Sequence, residues 1–338
     1  MIPAHPLALN QHRKLDERRQ RALTRYYCAA GSSGIAVGVH TTQFEIRNPG
    51  IDLLEPVLTL AAETMDQHVV RTGKPIIKIA GIVGETRQAC EEAKLAVDLG
   101  YHIGLVSLSA LQEANTEALC DHLKEIARII PLMGFYLQPA VGGRLLPFEF
   151  WQKAIEIPNL LAIKIAPFNR YQTLDVVRAV WSSERQDVAL YTGNDDNICL
   201  DLLTPFHFGG PEQRKPQRMV GGLLGHWACW TRSAVELVEQ LKTYTSTSAP
   251  APQQLLQLAQ ETTDANAAIF DAANGFAGCI PGVHEILRRQ GFLEGTWMLN
   301  PQEVLSKSQF AEIDRIYKSY PHLNDDHFVQ ENLHKWLD

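Results

Sequence analysis

Lys164 stands in Leu160-Leu161-Ala162-Ile163-Lys164-Ile165-Ala166, an apolar run with no other charge. Lysine is seldom buried without a partner or a purpose. Removal from water penalises the ammonium form and lowers its pKa, which supplies the neutral amine needed to attack a carbonyl carbon. A structural lysine neutralised by an interior carboxylate meets the same description. Lys78, in Ile76-Ile77-Lys78-Ile79-Ala80, is almost its twin, and burial alone does not choose between the two. Glu85 is a candidate partner that would make Lys78 structural. Asp195 and Asp196 follow another apolar run and could contact a substrate, or could cap a helix over 197–203. His226 follows a glycine-rich run and is a further polar candidate, a description that a solvated histidine also fits.

The elements that must position these groups are legible as short apolar runs separated by segments of helical spacing, the pattern of βα units. Eight runs have strand length: 6–10, 34–40, 75–82, 103–110, 132–139, 160–166, 188–193 and 219–225. Between them Thr116 can cap a helix whose Leu119, Leu123, Ile126 and Ile130 share one face, stopped by Pro131. Helices are also expected over 53–71 and 86–98, and from Thr173 onward with Leu174, Val177 and Trp181 on one face. No G-x-G-x-x-G or Walker sequence is present. Eight such units predict a single α/β domain, a (β/α)₈ TIM barrel over residues 1–232, with a C-terminal helical extension over 233–338. Residues 205–218 read as a long loop and 243–252 as a Ser/Thr/Pro/Ala-rich linker.

The segment Gly134-Phe135-Tyr136-Leu137-Gln138-Pro139, with Lys164 following 28 residues after Tyr136, resembles the fifth and sixth strands of the dihydrodipicolinate synthase and N-acetylneuraminate lyase family. His40-Thr41-Thr42-Gln43 is similar to that family's Gly-Thr-Thr-Gly turn. Tyr191-Thr192-Gly193-Asn194-Asp195-Asp196 resembles its Ser-Gly-Asp-Asp turn, and Gly221-Gly222-Leu223-Leu224-Gly225 its glycine-rich eighth strand.

The resemblance implies a class I aldolase or lyase in which Lys164 forms an imine with pyruvate or a related 2-oxo acid, the partner being an aldehyde. It implies that Tyr136 carries protons and that Thr41 and Thr42 hold the substrate carboxylate, or His40 and Thr41 if the register differs by one. Gln138, Gly193, Asn194, Asp195, Gly222 and His226 complete the expected substrate-binding set. It further implies a homotetramer with neither metal nor organic cofactor. Two departures count against dihydrodipicolinate synthesis itself. Val141 stands where synthases place an arginine, with Arg144 three residues further on, and Ser107-Leu108-Ser109 lacks the family's Pro-Tyr-Tyr. A dehydratase or another 2-oxo acid lyase, and a non-catalytic 2-oxo acid binding protein, are the alternatives.

Composition excludes other classes. Of 338 residues 45% are hydrophobic and 20% charged, a globular balance. A net charge of −7 argues against a nucleic-acid partner, which needs clustered Lys and Arg. Six cysteines without a CxxC pair predict a reduced, cytoplasmic setting and no metal centre. Nowhere do 18 apolar residues run together, so no membrane span is expected.

Overall fold

A computed structural model describes residues 1–209, 216–247 and 250–338. Its strands are β1 (Ile2–Pro3), β2 (Gly34–Val37), β3 (Ile77–Ile82), β4 (Ile103–Val106), β5 (Leu132–Leu137), β6 (Leu160–Ala166), β7 (Ala189–Thr192) and β8 (Met219–Leu224). All pair in parallel in the order β1-β8-β7-β6-β5-β4-β3-β2, and a bridge from Ala4 to Ala36 brings the first strand round to β2. The helices of the outer layer are α1 (Glu17–Ala30), α2 (Leu54–Thr72), α3 (Thr86–Asp98), α4 (Thr116–Ala127), α5 (Phe148–Ile155), α6 (Arg170–Ser182), α7 (Ile198–Leu203) and α8 (Thr231–Thr245). The fold is the (β/α)₈ barrel. A small inner core fills the barrel with Ile79, Leu105, Met133, Phe135, Leu137 and Leu223, and a larger one lies between strands and helices.

Local differences from the sequence reading have local causes. The first strand lies at Ile2–Pro3 and not at 6–10. Pro6 has no N–H to give to a ladder, and Asn10 turns the chain by accepting the His12 and Lys14 N–H groups. Asn115, not Thr116, caps α4 by accepting the Ala118 N–H, and Asn169 caps α6, which therefore opens before Thr173. Within α6, Val177 is buried while Leu174 faces out. Lys78 is paired as a structural lysine, but with Asp66 at 2.8 Å and not with Glu85. Phe206 and Gln217 exchange antiparallel hydrogen bonds across the expected loop, whose residues 210–215 lie outside the described residues. The expected linker is helical as far as Thr245, and its residues 248–249 are likewise not described.

The extension comprises α9 (Gln254–Ile269), α10 (Cys279–Arg289), α11 (Gln309–Ser319) and α12 (Asp326–Leu337). It packs on the barrel's first and last helices. Tyr26 of α1 donates to Asp325 at 2.6 Å and accepts the Thr231 N–H that opens α8. Phe292 and Trp336 stack beside it with centroids 5.8 Å apart. The boundary expected at residue 232 falls in the first turn of α8, the helix that completes the eighth βα unit. All six cysteines are free, and among the described residues no helix is long and apolar enough to cross a membrane.

Buried histidines, His5, His226 and His284 among them, make the fold sensitive to acid. His5 Nδ1 donates to the Pro6 carbonyl, which leaves Nε2 to accept from Thr24. Burial depresses His5 and His226 to about 4 and His284 to about 3. The unfolded chain, with histidine near 6.5, therefore binds more protons than the native state between those values. Their contribution is complete above about pH 6.5 and is lost as pH falls toward 4, on the order of 3 kcal/mol for each ring. The urea midpoint is expected to fall markedly between pH 7.5 and pH 5, and a flat profile would contradict neutral burial.

Candidate functional site

The cavity lies at the C-terminal ends of the strands, where the loops after β2, β5, β6, β7 and β8 converge. On β6 alternate residues face inward, so Ala162 and Ala166 join the inner core and Lys164, between them in parity, points into the barrel. Its Nζ sits 4.4 Å above the centre of the Phe135 ring, the residue paired with it across β5. Burial lowers the Lys164 pKa below the ordinary lysine range, and the charge of Asp195 works to raise it. Asp195 is only 5% exposed and accepts the His226 N–H at 2.9 Å. Burial pushes its carboxyl well above the usual range, against the opposing effects of that hydrogen bond and of Lys164.

Gly193 makes room for the lysine. A Cβ there would stand 2.7 Å from Lys164 Cε and 2.7 Å from Ala166 Cβ, closer than carbon atoms approach. Gly193→Ala is expected to displace the amine and slow any covalent capture of a carbonyl at Lys164 by about 10²-fold, with some loss of melting temperature because the Ala166 Cβ cannot move aside; capture is compared at a temperature where both proteins are folded. An unchanged capture rate would show that the amine has slack.

His40, Thr41, Gln138, Lys164, Gly193 and Asp195 all line the cavity. His40 is held at about 4 by burial and then by Lys164, so its ring is neutral. The pair of residues that the 40–42 turn brings to the cavity is His40 and Thr41. Thr42 turns inward, donating to the His5 carbonyl at 2.7 Å and accepting the Gly38 and Val39 N–H groups.

Other expected site residues stand elsewhere. Tyr136 faces the helices: its hydroxyl accepts the Leu146 N–H at 3.2 Å and its ring lies 5.7 Å from Trp151. That orientation removes it from the reach of Lys164 and corrects its expected place as proton carrier. Asn194 is spent within the framework, accepting the Phe168 N–H and donating to Thr173 and Asp201. Gly222 abuts the Trp227 ring on the helix side of β8. The His226 ring contacts Asn266 and Trp230 and borders a separate cavity, so only its N–H serves the site. Arg144 is tied to the Leu111 and Ala114 carbonyls and supplies no cavity charge in place of Val141. Neither carboxylate of the Asp195-Asp196 pair caps α7, which opens after Asn197.

Several lining residues carry no chemical signal in the sequence. Phe135 was visible only as the neighbour of Tyr136. Gly225 lies against Phe270. Phe270, Phe276 and Cys279 arrive from the loop between α9 and α10, with Phe276 packed edge-on against Phe168 at 5.7 Å. The free space is about 50 Å³. On a scale where one water needs about 10–15 Å³, that is room for a few waters or one small acid.

A parallel barrel with a lysine and a carboxyl buried together at its C-terminal mouth defines a class of scaffold suited to carbonyl chemistry. The chain belongs to the dihydrodipicolinate synthetase family, whose model matches residues 1–205. It is 25% identical over 210 residues to N-acetylneuraminate lyase of Citrobacter koseri, covering 60% of this chain and 65% of that one. Over 87 residues it is 37% identical to a probable 5-dehydro-4-deoxyglucarate dehydratase of Acinetobacter baumannii, covering 25% of this chain and 28% of that one. The chain thus matches less than two thirds of the length of each of these relatives. Among solved structures, N-acetylneuraminate lyase from Fusobacterium nucleatum superposes with a TM-score of 0.73 at 16% identity, covering 95% of this chain and 98% of that chain. A dihydrodipicolinate synthase from Acinetobacter baumannii, complexed with pyruvate, gives 0.74 at 19%, covering 94% and 97%. At these identities the superpositions establish the shared fold alone.

Proposed function

We propose that this protein is a class I aldolase or lyase in which Lys164 forms a Schiff base with pyruvate or a related 2-oxo acid. The carrying observation is the placement of Lys164, buried at the barrel mouth with its ammonium disfavoured by desolvation, in a chain of this family. The neutral amine attacks the ketone carbon, and loss of water leaves a protonated imine that draws electrons from the adjacent carbon. The resulting enamine adds to an aldehyde, or is released when a carbon–carbon bond breaks. His40 and Thr41 offer hydrogen bonds to the substrate carboxylate, and the small cavity accords with an acid of a few carbons. The imine is itself the electron sink, so the scheme calls for no metal or organic cofactor. Assembly as a homotetramer and a cytoplasmic location belong to the same proposal.

A dehydratase reading is favoured by the 37% likeness over 87 residues to a probable dehydratase. It shares the Lys164 imine and differs in expelling a hydroxyl from the substrate instead of joining an aldehyde. The test is borohydride reduction in the presence of pyruvate, followed by intact mass and peptide mapping. An adduct on Lys164 is expected. Its absence with pyruvate and with longer 2-oxo acids would leave a binding protein without imine chemistry.

A further inference from the structure

With Tyr136 facing the helices, the imine chemistry lacks the proton carrier that the sequence suggested. We propose that Asp195 is the proton carrier of the site, moving protons between the Lys164 nitrogen, the departing oxygen and the carbon next to the imine. This inference rests on the Lys164 Schiff base proposed above.

Three observations support it. On β5 the side chains that face Lys164 are Phe135 and Leu137, which hold no transferable proton. The titratable side chains sharing the cavity with Lys164 are His40, Asp195 and Cys279. Burial keeps the Cys279 thiol protonated and the His40 ring neutral, which leaves the carboxyl as the group that exchanges a proton readily. Finally, the carboxyl is tethered by one other residue, His226, and by its own backbone N–H. Asp195 Oδ1 accepts the His226 N–H, and among the described residues no other residue donates to Oδ2. Lys164 and Asp195 line one cavity and feel each other's charge, yet form no ion pair within 4.0 Å. Burial moves the two groups toward each other, the carboxyl up and the amine down, which matches them for proton exchange by way of a substrate held between them.

The steps balance from a neutral amine and a protonated carboxyl. Lys164 Nζ bonds to the ketone carbon as the carbonyl electron pair moves to oxygen. Asp195 gives its proton to that oxygen and takes one from the nitrogen, yielding a carbinolamine. It then protonates the hydroxyl, the carbon–oxygen bond breaks, and water leaves a protonated imine paired with the Asp195 carboxylate. The carboxylate next removes a proton from the adjacent carbon to form the enamine. In carbon–carbon bond formation the returned proton goes to the new alkoxide.

Exchange of the pyruvate methyl protons in deuterated water, followed by NMR, reads this last step without knowledge of the aldehyde. The wild-type protein is expected to exchange them, and Asp195→Asn to lose about 10²–10⁴-fold in exchange rate while still yielding a borohydride adduct on Lys164 after long incubation. Asparagine keeps the acceptor for the His226 N–H. Should the Asn variant fold poorly, Asp195→Ala with added formate replaces it, and restored exchange supports the carboxyl. Tyr136→Phe should exchange at the wild-type rate. Exchange unimpaired in a folded Asp195→Asn protein, or lost in Tyr136→Phe or His40→Ala while Asp195→Asn retains it, overturns the assignment. If the wild type gives no Lys164 adduct, the Schiff-base reading itself has failed, and the Asp195 role falls with it.

Discussion

Replacing Lys164 with alanine is expected to abolish the borohydride-trapped adduct and to lower turnover of any 2-oxo acid substrate by at least about 10⁴-fold. The same variant should be no less stable than the wild type. Lys164 is 8% exposed and has no ion pair among the described residues, so its burial is a cost to folding that the apolar replacement removes. Stability and reactivity therefore move apart, which separates a nucleophile from a structural lysine. For Lys78, bonded to both oxygens of Asp66, the replacement should cost stability and leave trapping intact. Lys164→Arg should also be inert, because a guanidinium stays charged and cannot form the imine. Mass spectrometry of the trapped protein together with urea titration tests the set. A destabilised Lys164→Ala protein that still traps pyruvate elsewhere would refute the assignment.

The second large effect is expected at Arg47, which holds the floor of the turn carrying His40 and Thr41. Its Nε donates to both oxygens of Glu92 at 2.9 and 3.0 Å, and one Nη donates to the Gly38 and Gly81 carbonyls at 3.0 and 2.9 Å. Glu92 also accepts the Val83 N–H and a Gln88 N–H. Side-chain exposures of 6% and 7% mean that neither charge is relieved by water. The strand ends so joined lie in close backbone contact, since a Cβ on Gly81 would stand 2.2 Å from the Gly38 oxygen. Arg47→Met should therefore cost about 3–5 kcal/mol, chiefly by leaving the Glu92 carboxylate buried and unpaired. The double variant with Glu92→Met should recover much of that loss. A single variant within 1 kcal/mol of wild type, roughly the range of surface substitutions, would show that the pair is solvent-screened after all.

Seven of the eight βα units were legible in the sequence because the evidence for them is local, while the first strand, Ile2–Pro3, lies outside its expected run. A strand buried on both faces needs a continuous apolar run, and helices need periodic apolar positions with a cap or stop, as 160–166 and 86–98 show. Lys164 and Lys78 were both legible for the same reason, each as the sole charge in such a run, and only the fold separates them: Asp66 pairs with Lys78 and the cavity receives Lys164. The continuous apolar run that reveals a buried strand also hides which face each residue takes. In β5 the inward set Met133, Phe135 and Leu137 and the outward set Leu132 and Tyr136 are equally apolar, and a register shift beside Leu132 changes the pairing with β6. A spacing of 28 residues between Tyr136 and Lys164 therefore did not settle whether the two side chains meet. Asp195 could be located in sequence at a strand end, but its role depends on the His226 N–H and on burial beside Lys164. Phe270, Phe276 and Cys279 reach the cavity only because the C-terminal helices fold back over the barrel mouth, more than 100 residues along the chain from Lys164. The sequence by itself determined the barrel and marked two buried lysines, since both rest on local apolar burial; which lysine stands at the cavity, and which groups surround it, was decided by strand parity and long-range packing, which exist only once the chain has folded.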